Sequence, residues 1–315
     1  MELGSLQIWA GGRFCRYDEA KVGLLTHALN YGTGCFEGMR GYWEQHESEL
    51  YLLSIAEHYE RLHDSARLLM MKLPYGVDEL CEITTELCAR NRFETDLYIR
   101  PLLFKSAEMI GVRLHNVEDT FAIIAVPFTP YYETSGGLKC CTSAWRRMDD
   151  TCAPARGKIT GVYVNSALAK SEAILSGFDE AIMLSHDGHV SEGSAENLFI
   201  VKDGVLITPD CSQNILEGIT RKTVMMLARE HLDLRIVERA IDRSELFSCD
   251  ELFFTGSAVG VQWVESVDHR AIGDGSIGPI TRRLQELYDK LTHGKLPEYR
   301  SFLTPVYASR KVVSR

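Results

Sequence analysis

Apolar and polar residues recur along this chain with two periods, which predict strands and helices in its first half. Strands are predicted at 97–104 (LYIRPLLF) and at 120–128 (TFAIIAVPF), the second a continuous apolar run that indicates a buried strand. Helical spacing of apolar residues predicts helices at 54–71 and 77–93. The first half is therefore expected to combine sheet and helix.

The second half shows the same mixture. Residues 179–209 contain three strand-like segments joined by Asp-Gly turns, a pattern that favours antiparallel pairing. Amphipathic helices are predicted at 163–178 and 215–234. The last residues, 301–315, are basic and are predicted to form a peripheral tail.

The length of the chain predicts two domains, because 315 residues exceed what one core usually serves. The segment 129–137, TPYYETSGG, combines proline, two glycines and polar residues, which is typical of a linker. We therefore predict a small N-terminal domain at 1–128, a linker at 129–137 and a larger domain at 138–315.

Composition argues against several partners. The formal net charge of -10 disfavours nucleic acid, since phosphate backbones bind clustered Lys and Arg. The nine cysteines show no C-x-x-C spacing, so neither a disulfide framework nor a zinc site is indicated and a reducing cytoplasm is expected. His58 and His63 are five residues apart rather than four, which disfavours a metal pair. No segment approaches an uninterrupted membrane span, so we expect a soluble protein.

Lys158 is the first candidate for chemistry. It lies in a turn between Gly157 and Gly161, directly before the helix predicted at 163–178. A lysine attacks carbonyl groups only when its ammonium is partly desolvated, and a small-residue turn beside a buried helix can achieve that. Most lysines are surface charges, so this residue alone would favour the simpler interpretation.

Three further segments of the second half suit a flat anionic ligand. Glu192 is surrounded by small residues that leave room for a flat ligand, and the alternative is a turn glutamate in water. Gly218, Ile219 and Thr220 open an amphipathic helix, where amides and a hydroxyl bind phosphate, or where Thr220 is only a cap. The turn at 255–260, TGSAVG, contains Gly256, Ser257 and Ala258, whose amides are able to converge on an anion.

The first half adds aromatic and cationic candidates. Tyr31, Phe36 and Arg40 lie in a glycine-rich loop, where they either line a cleft or belong to the core and its rim. Tyr98 and Arg100 are two apart on a strand and so share a face, as a carboxylate receptor or as an exposed strand surface. Arg61 lies on a predicted helix, where a surface ion pair with a neighbouring glutamate is the simpler interpretation.

One cofactor uses all of these groups. Pyridoxal 5'-phosphate requires a lysine for its aldehyde, a carboxylate that keeps its ring nitrogen protonated, and a cradle for its phosphate. Lys158, Glu192 and the two amide-rich turns together match that requirement.

The sequence closely resembles the branched-chain aminotransferase family of fold-type-IV pyridoxal phosphate enzymes. The resemblance runs nearly end to end. It is carried by HALNYGTGCFEGMR (27–40), ERLHDSARL (60–68), YIRPL (98–102), GKITGVYVNS (157–166), SEGSAENLF (191–199), EGITR (217–221) and TGSA (255–258). It implies an α+β fold of two domains, a small α/β domain and a larger one with a β-barrel-like core.

The resemblance also implies a role for each candidate residue. Lys158 would form the internal Schiff base and Glu192 would pair with the pyridine nitrogen. Substrate carboxylates would be received by an aromatic and arginine face and by a pair of amides, and the substrate side chain by an apolar pocket. The implied cofactor-binding residues are Arg61, Lys158, Tyr163, Glu192, Gly218, Ile219, Thr220, Gly256 and Ser257, and the implied substrate-binding residues are Tyr31, Phe36, Arg40, Tyr98, Arg100, Ile110, Val112, Ser257 and Ala258.

The implied activity is transfer of the amino group of L-leucine, L-isoleucine or L-valine to 2-oxoglutarate by ping-pong kinetics. Lys158, once released from the aldehyde, would move the proton between substrate and cofactor. The loop carrying Ile110 and Val112 would reach the site of a neighbouring subunit, which implies at least a homodimer. Alternatives of the same fold are a D-amino acid or (R)-amine aminotransferase and an aminodeoxychorismate lyase, and a further alternative is a cofactor-storing protein without turnover.

The sequence departs from the family pattern at two places. Family members often read Gly-Met-Gly-Val where this chain has residues 109–112, and Gly-Gly-Asn-Tyr where it has residues 160–163. Neither change touches the groups assigned to the cofactor. Both are expected to lie near the substrate, so they bear on which amino acid is accepted.

Overall fold

The computed structural model describes residues 3–132 and 136–308. They form two compact units, the first comprising Met1–Thr129, Gly157–Gly161 and Lys290–Arg315, and the second Pro130–Arg156 and Val162–Asp289. The units differ from the predicted domains, because two segments predicted in the second domain belong to the first unit. Within the predicted linker, residues 133–135 lie outside the described residues.

The described residues contain both strands and helices in each unit, and the α+β class is confirmed. The α-helices are α1 His27–Tyr31, α2 Ile55–Leu68, α3 Val77–Asn91, α4 Tyr163–Leu175, α5 Ile219–Leu232 and α6 Pro279–Thr292. The strands are β1 Gln7–Ala10, β2 Arg13–Arg16, β3 Gly34–Phe36, β4 Met39–Glu44, β5 Glu49–Leu53, β6 Leu97–Lys105, β7 Asp119–Pro127, β8 Leu138–Arg146, β9 Glu180–Leu184, β10 Val190–Gly193, β11 Asn197–Lys202, β12 Val205–Thr208, β13 Ile236–Glu238, β14 Glu251–Gly256, β15 Gly260–Val267, β16 Arg270–Ala271 and β17 Leu303–Pro305.

Each unit is built on one sheet. The first has the strand order β17-β5-β4-β6-β7-β1-β2, with β3 added on β6, and its pairings are antiparallel. The second has the order β10-β9-β8-β15-β14-β11-β12-β13, with β16 on β15. It is mixed, because β8 runs parallel to both β9 and β15 and β12 runs parallel to β13.

Strand β6 shows how the first sheet presents side chains. Its residues alternate strictly between buried and half-buried along the whole strand. Leu97, Ile99 and Leu103 therefore face the core, while Tyr98 and Arg100 lie together on the other face. The neighbouring β7 alternates as well, so the predicted burial of the whole 120–128 run is wrong, since only every second side chain faces the core.

Helix α2 packs by one stripe of residues. Tyr59, Leu62 and Ala66 are buried at helical spacing, and His58 and Ser65 are buried beside them. The apolar members supply roughly 1.5–3 kcal/mol each for a large buried side chain. The polar members are buried only because they have hydrogen-bond partners, and those partners lie at the candidate site.

The core of the second unit is apolar and centred on its sheet. Ile182, Leu198, Phe254 and Val264 are buried there on β9, β11, β14 and β15. Helix α4 packs small residues, among them Ala169, against β9. Strands β10 and β14, helices α4 and α5 and the turn after β14 carry the predicted site residues of this unit.

Two parts of the chain differ from the sequence-based expectation. Helix α6 was not predicted, yet it buries Leu284, Leu287 and Leu291. The predicted peripheral tail is wrong for its first residues, because Leu303–Pro305 pair with β5 and Val306 is completely buried. Residues 309–315 of that tail lie outside the described residues. None of the described helices is both long and apolar enough to cross a membrane.

Candidate active site

Lys158 belongs to the first unit, where its backbone is fixed on both sides. Its N–H donates to Oγ of Ser65 on α2 (3.1 Å), and its carbonyl accepts from the N–H of Phe36 (3.0 Å). The next residue, Ile159, forms an isolated antiparallel bridge with Cys35 of β3. The side chain is half-buried, with Nζ 5.2 Å from the ring centroid of Phe36. The lysine is thus held at a defined place beside an aromatic ring.

Thr160 closes the turn that carries Lys158. Its Oγ1 lies 2.8 Å from the carbonyl of Gly32 and accepts the N–H of Gly34 (3.1 Å). The N–H of Gly161 also donates to Gly32 (3.0 Å). Gly32 has a φ of 66°, and a Cβ there would lie 2.7 Å from Cα of Gly161, so this approach requires glycine.

Arg61 forms a buried ion pair rather than the surface pair considered from sequence. Its Nε and Nη2 donate to the two carboxylate oxygens of Glu37 at 2.8 and 2.7 Å. Nδ1 of His58 lies 2.7 Å from the same carboxylate. The basic partners hold the pKa of Glu37 well below its usual range despite burial, while burial lowers the pKa of His58. Arg61 is therefore oriented by a charge-assisted bidentate pair.

Arg100 lies between two aromatic side chains of the first unit. Its Nη2 donates to the hydroxyl of Tyr98 (2.6 Å), and its guanidinium lies 4.3 Å from the ring centroid of Phe36. Its Nε is buried without a partner, and no described carboxylate pairs with it. Gly38 makes room for the tyrosine, since a Cβ there would lie 2.4 Å from the Tyr98 hydroxyl.

Arg40 and Tyr31 already have contacts of their own. Arg40 is buried, pairs with Asp96 (3.0 Å) and lies over the ring of Phe128, so its guanidinium is engaged within the unit. The hydroxyl of Tyr31 accepts the N–H of Gly111 (3.1 Å). Tyr31 therefore anchors the loop on which Ile110 and Val112 lie.

Ile110 and Val112 do not pack against the rest of their unit. Their exposed fractions are 84% and 75%, which is high for apolar side chains. The backbone between them is held by Tyr31, so the two side chains are presented by an anchored loop. An apolar pair displayed in this way suits burial against another surface.

Glu192 lies in the second unit and is almost fully buried on β10. Its Oε1 pairs with Nη2 of Arg147 (2.9 Å), and its Oε2 accepts from Nδ2 of Asn197 (2.9 Å) and the N–H of Leu216 (3.1 Å). A cation and two N–H donors stabilise the ionised carboxylate. The solvated-turn interpretation is therefore wrong.

The start of α5 lies next to this carboxylate. Gly218 is its N-cap residue and provides no side-chain cap, so the first-turn amides are not satisfied in that way. A Cβ at Gly218 would lie 2.0 Å from Oδ1 of Asn197. Asn197 thus links Glu192 to the start of a 14-residue helix, at Ile219 and Thr220, where backbone donors favour an anion.

Two other predicted residues of this unit stand at element ends. Gly256 closes β14 and pairs with Gly260, so Ser257 and Ala258 lie in the intervening turn. Tyr163 is the first residue of α4 and is half-buried. Each unit therefore carries its own group of predicted residues.

Sequence reasoning missed the residues that orient these groups. Glu37 and His58 fix Arg61, while Arg147 and Asn197 fix Glu192. Glu37 and Asn197 fall inside the quoted motifs, so their position was visible although their partners were not. Arg147 left no signal in the sequence beyond its charge.

Comparison with known proteins identifies the family. A family model described as amino-transferase class IV matches residues 34–267. A probable branched-chain-amino-acid aminotransferase of Aquifex aeolicus is 46% identical over 296 residues, covering 94% of this chain and 95% of its own. The solved branched-chain aminotransferase of Thermoproteus uzoniensis, crystallised with norvaline, superposes with a TM-score of 0.92 at 41% identity over 96% of this chain and 100% of its own.

A third relative is the solved enzyme of Thermobaculum terrenum in its PLP form, with a TM-score of 0.92 at 36% identity over 97% of this chain and 99% of its own. The fold and the family model define a class IV aminotransferase, and hence a transaminase. Within that class, the chain belongs to the branched-chain aminotransferase family of fold-type-IV enzymes.

Proposed function

We propose that this transaminase moves the amino group of L-leucine, L-isoleucine and L-valine to 2-oxoglutarate by ping-pong kinetics through Lys158. The observation that carries the proposal is the buried carboxylate of Glu192, held in its ionised form by Arg147, Asn197 and the amide of Leu216. Such a carboxylate matches the protonated ring nitrogen that amino transfer requires.

Pyridoxal 5'-phosphate is the cofactor, as in the holo form of the Thermobaculum terrenum relative. When bound, it supplies an aldehyde that exchanges amines and a protonated ring that accepts an electron pair from the substrate Cα. The donor set fits it, because the chain offers a half-buried lysine, a buried carboxylate, an oriented arginine and a helix start without a side-chain cap.

Lys158 is proposed as the covalent anchor and the proton carrier. Its backbone contacts with Ser65 and Phe36 restrict where Nζ can reach, and Nζ lies 5.2 Å from the centroid of the Phe36 ring. As a free amine, Nζ would take the proton from the substrate Cα and deliver it to the C4' carbon of the bound cofactor.

Other residues are proposed to bind the cofactor phosphate and ring. Arg61 in the first unit and the amides of Ile219 and Thr220 in the second are each proposed as phosphate ligands, together with Ser257. Tyr163 is proposed to contact the phenolic oxygen. Gly218 and Gly256 are proposed to contact the cofactor through their backbone.

Arg100 and Tyr98 are proposed to receive the substrate carboxylate, because Arg100 carries a buried unsatisfied Nε and pairs with no described carboxylate. Tyr31, Arg40 and the amides of Ser257 and Ala258 are proposed to assist. Phe36, Ile110 and Val112 are proposed to contact the branched side chain.

The exposed loop supports a homodimer. Ile110 and Val112 expose most of their surface, and Tyr31 anchors the backbone between them. We propose that this loop contributes to the site of a second copy. Sedimentation of the holoenzyme should show at least a dimer, and a monomer with full activity would contradict this part.

A panel of amino donors with 2-oxoglutarate tests the substrate class. We expect L-leucine, L-isoleucine and L-valine to be used with kcat/KM at least tenfold above D-alanine and (R)-phenylethylamine. Turnover of either of those two donors well above L-leucine would overturn the assignment.

Lys158→Ala tests the lysine, with the exposed Lys290→Ala as a matched control. We expect the first variant to lose several orders of magnitude in kcat, because anchoring and proton transfer vanish together, and the control to keep its activity. Borohydride reduction should fix the cofactor to Lys158 of the unaltered enzyme. Near-normal activity of Lys158→Ala would mean that another lysine acts.

A further inference from the structure

Glu37 follows β3 directly, and its carboxylate joins the first sheet to α2. Its own N–H donates to the carbonyl of Pro101 (2.9 Å), and its side chain is completely buried. Oε1 accepts from Nε of Arg61 at 2.8 Å, and Oε2 lies 2.7 Å from both Nη2 of Arg61 and Nδ1 of His58. Three nitrogen donors thus converge on one buried carboxylate.

The charges of this cluster are fixed by its surroundings. Arg61 and His58 hold the pKa of Glu37 far below its usual range, so the carboxylate is ionised at neutral pH. Burial lowers the pKa of His58, so the imidazole is neutral. An ionised carboxylate only accepts hydrogen bonds, and Nδ1 of His58 therefore carries the hydrogen. The cluster consists of one cation, one anion and one neutral donor.

This arrangement restricts how Arg61 meets an anion. Glu37 occupies the edge of the guanidinium formed by Nε and Nη2, and these two hydrogen bonds fix the plane of the group. The Arg61 side chain is 13% exposed, while that of Glu37 is 0% exposed, so the carboxylate lies on the inner side. The Arg61 side chain therefore loses its conformational entropy on folding rather than on ligand binding, which is the effect of preorganisation.

We propose that Glu37 is a positioning residue for the cofactor phosphate, which it serves by holding the guanidinium of Arg61 in one orientation. The inference rests on the proposed function, in which Arg61 is a phosphate ligand. His58 supports the same orientation by donating a third hydrogen bond to the carboxylate.

Two other interpretations predict different behaviour. If Glu37 only fastened β3 to α2, its loss would lower stability without distinguishing between ligands. If its negative charge mainly opposed the phosphate, its loss would tighten phosphate binding. Positioning predicts weaker binding that is confined to ligands bearing a phosphate.

The test compares two ligands that differ only in the phosphate group. Cofactor-free protein is titrated with pyridoxal 5'-phosphate and with pyridoxal, and each Kd is read from absorbance. We expect Glu37→Gln to raise the Kd for pyridoxal 5'-phosphate by about 10- to 100-fold, as loss of an orienting partner does at metal sites. The Kd for pyridoxal should change by less than about twofold, because that ligand makes no contact that Glu37 orients.

Further variants serve as a control and test whether Glu37 acts through Arg61. Glu44→Gln alters another buried glutamate of the same sheet and should leave both constants unchanged. Arg61→Ala should weaken binding of pyridoxal 5'-phosphate, and adding Glu37→Gln to it should weaken it no further, because the residue to be oriented is gone. Should Glu37→Gln fail to fold, His58→Leu removes one of the three hydrogen bonds. It should weaken binding of pyridoxal 5'-phosphate alone by severalfold, and His58→Asn should restore it.

The outcomes separate this inference from the proposed function. Unchanged or tighter binding of pyridoxal 5'-phosphate by Glu37→Gln, with Arg61→Ala weakened, would overturn the role of Glu37 alone. An equal change for both ligands would also overturn it, in favour of a fastening role. If Arg61→Ala bound pyridoxal 5'-phosphate as tightly as the unaltered protein, Arg61 would not be a phosphate ligand. Glu37 would then have no positioning role. An unaltered protein that binds no pyridoxal 5'-phosphate would contradict the proposed function itself.

Discussion

Replacing Glu196 by glutamine should remove a large pH dependence from the stability of the second unit. Glu196 and Glu180 are both buried, and the hydroxyl of Tyr132 lies 2.8 Å from Oε2 of Glu180 and 3.2 Å from Oε1 of Glu196. Nζ of Lys170 lies 2.5 Å from Glu180. One lysine thus faces two buried carboxyl groups, so one of the pair holds a proton. Burial and then the charge of Glu180 raise the pKa of Glu196 to about 8.

The sign of the effect follows from where the proton is bound. Between the unfolded pKa of 4.5 and a folded value of about 8, the folded chain holds a proton that the unfolded chain has released. The free energy of unfolding therefore falls as pH rises through this window, by up to about 1.4 kcal/mol per pH unit. Between pH 6 and 8 the loss amounts to roughly 2 kcal/mol. Glutamine resembles the protonated acid and does not titrate.

The assay is urea denaturation of cofactor-free protein at pH 6, 7 and 8, so that cofactor binding does not contribute. We expect the unaltered protein to lose about 2 kcal/mol more across this range than Glu196→Gln does. The exposed Glu230→Gln serves as a control and should keep the slope of the unaltered protein. Identical slopes for the unaltered protein and Glu196→Gln would refute the reasoning, because no proton would then be held at the buried pair.

Three further changes probe single contacts. Thr160→Val should lower the free energy of unfolding by about 1–3 kcal/mol in urea denaturation, because the N–H of Gly34 loses its acceptor. Glu251→Gln should cost about 1 kcal/mol, and lower the melting temperature, because Glu251 accepts the first amides of α6, including that of Thr281 (2.7 Å). Burial lowers the pKa of His58 in the folded protein, so as pH falls the unfolded chain is protonated at this residue before the folded chain. The free energy of unfolding should therefore fall as pH drops below 6.5, and it should fall less steeply in His58→Asn.

Local patterns predicted most of the elements. Alternation placed Tyr98 and Arg100 on one face of a strand, and β6 has that arrangement. Helical spacing predicted α2, which runs Ile55–Leu68. The spacing of Leu284, Leu287 and Leu291 is also helical, so the pattern that predicts α2 is present in α6 as well.

What escaped prediction depends on contacts between distant residues. The position of Arg61 on a helix suggests a partner among neighbouring glutamates, whereas its partner is Glu37, 24 residues earlier and directly after β3. Gly157–Gly161 falls within the predicted second domain because it follows the predicted linker at 129–137. Its place in the first unit comes from the bridge between Ile159 and Cys35, and no local pattern encodes that bridge.

The two units are not two consecutive stretches of the chain, because Gly157–Gly161 belong to the first unit and interrupt the sequence of the second. The chain passes between the units after residues 129, 156, 161 and 289. A fragment ending at Thr129 would lack the lysine, and a fragment spanning 130–289 would carry it without β3 and α2, which hold its backbone. Neither unit can therefore be excised or exchanged between relatives as one continuous piece of gene, and a functional chimera would have to be joined at all four crossings.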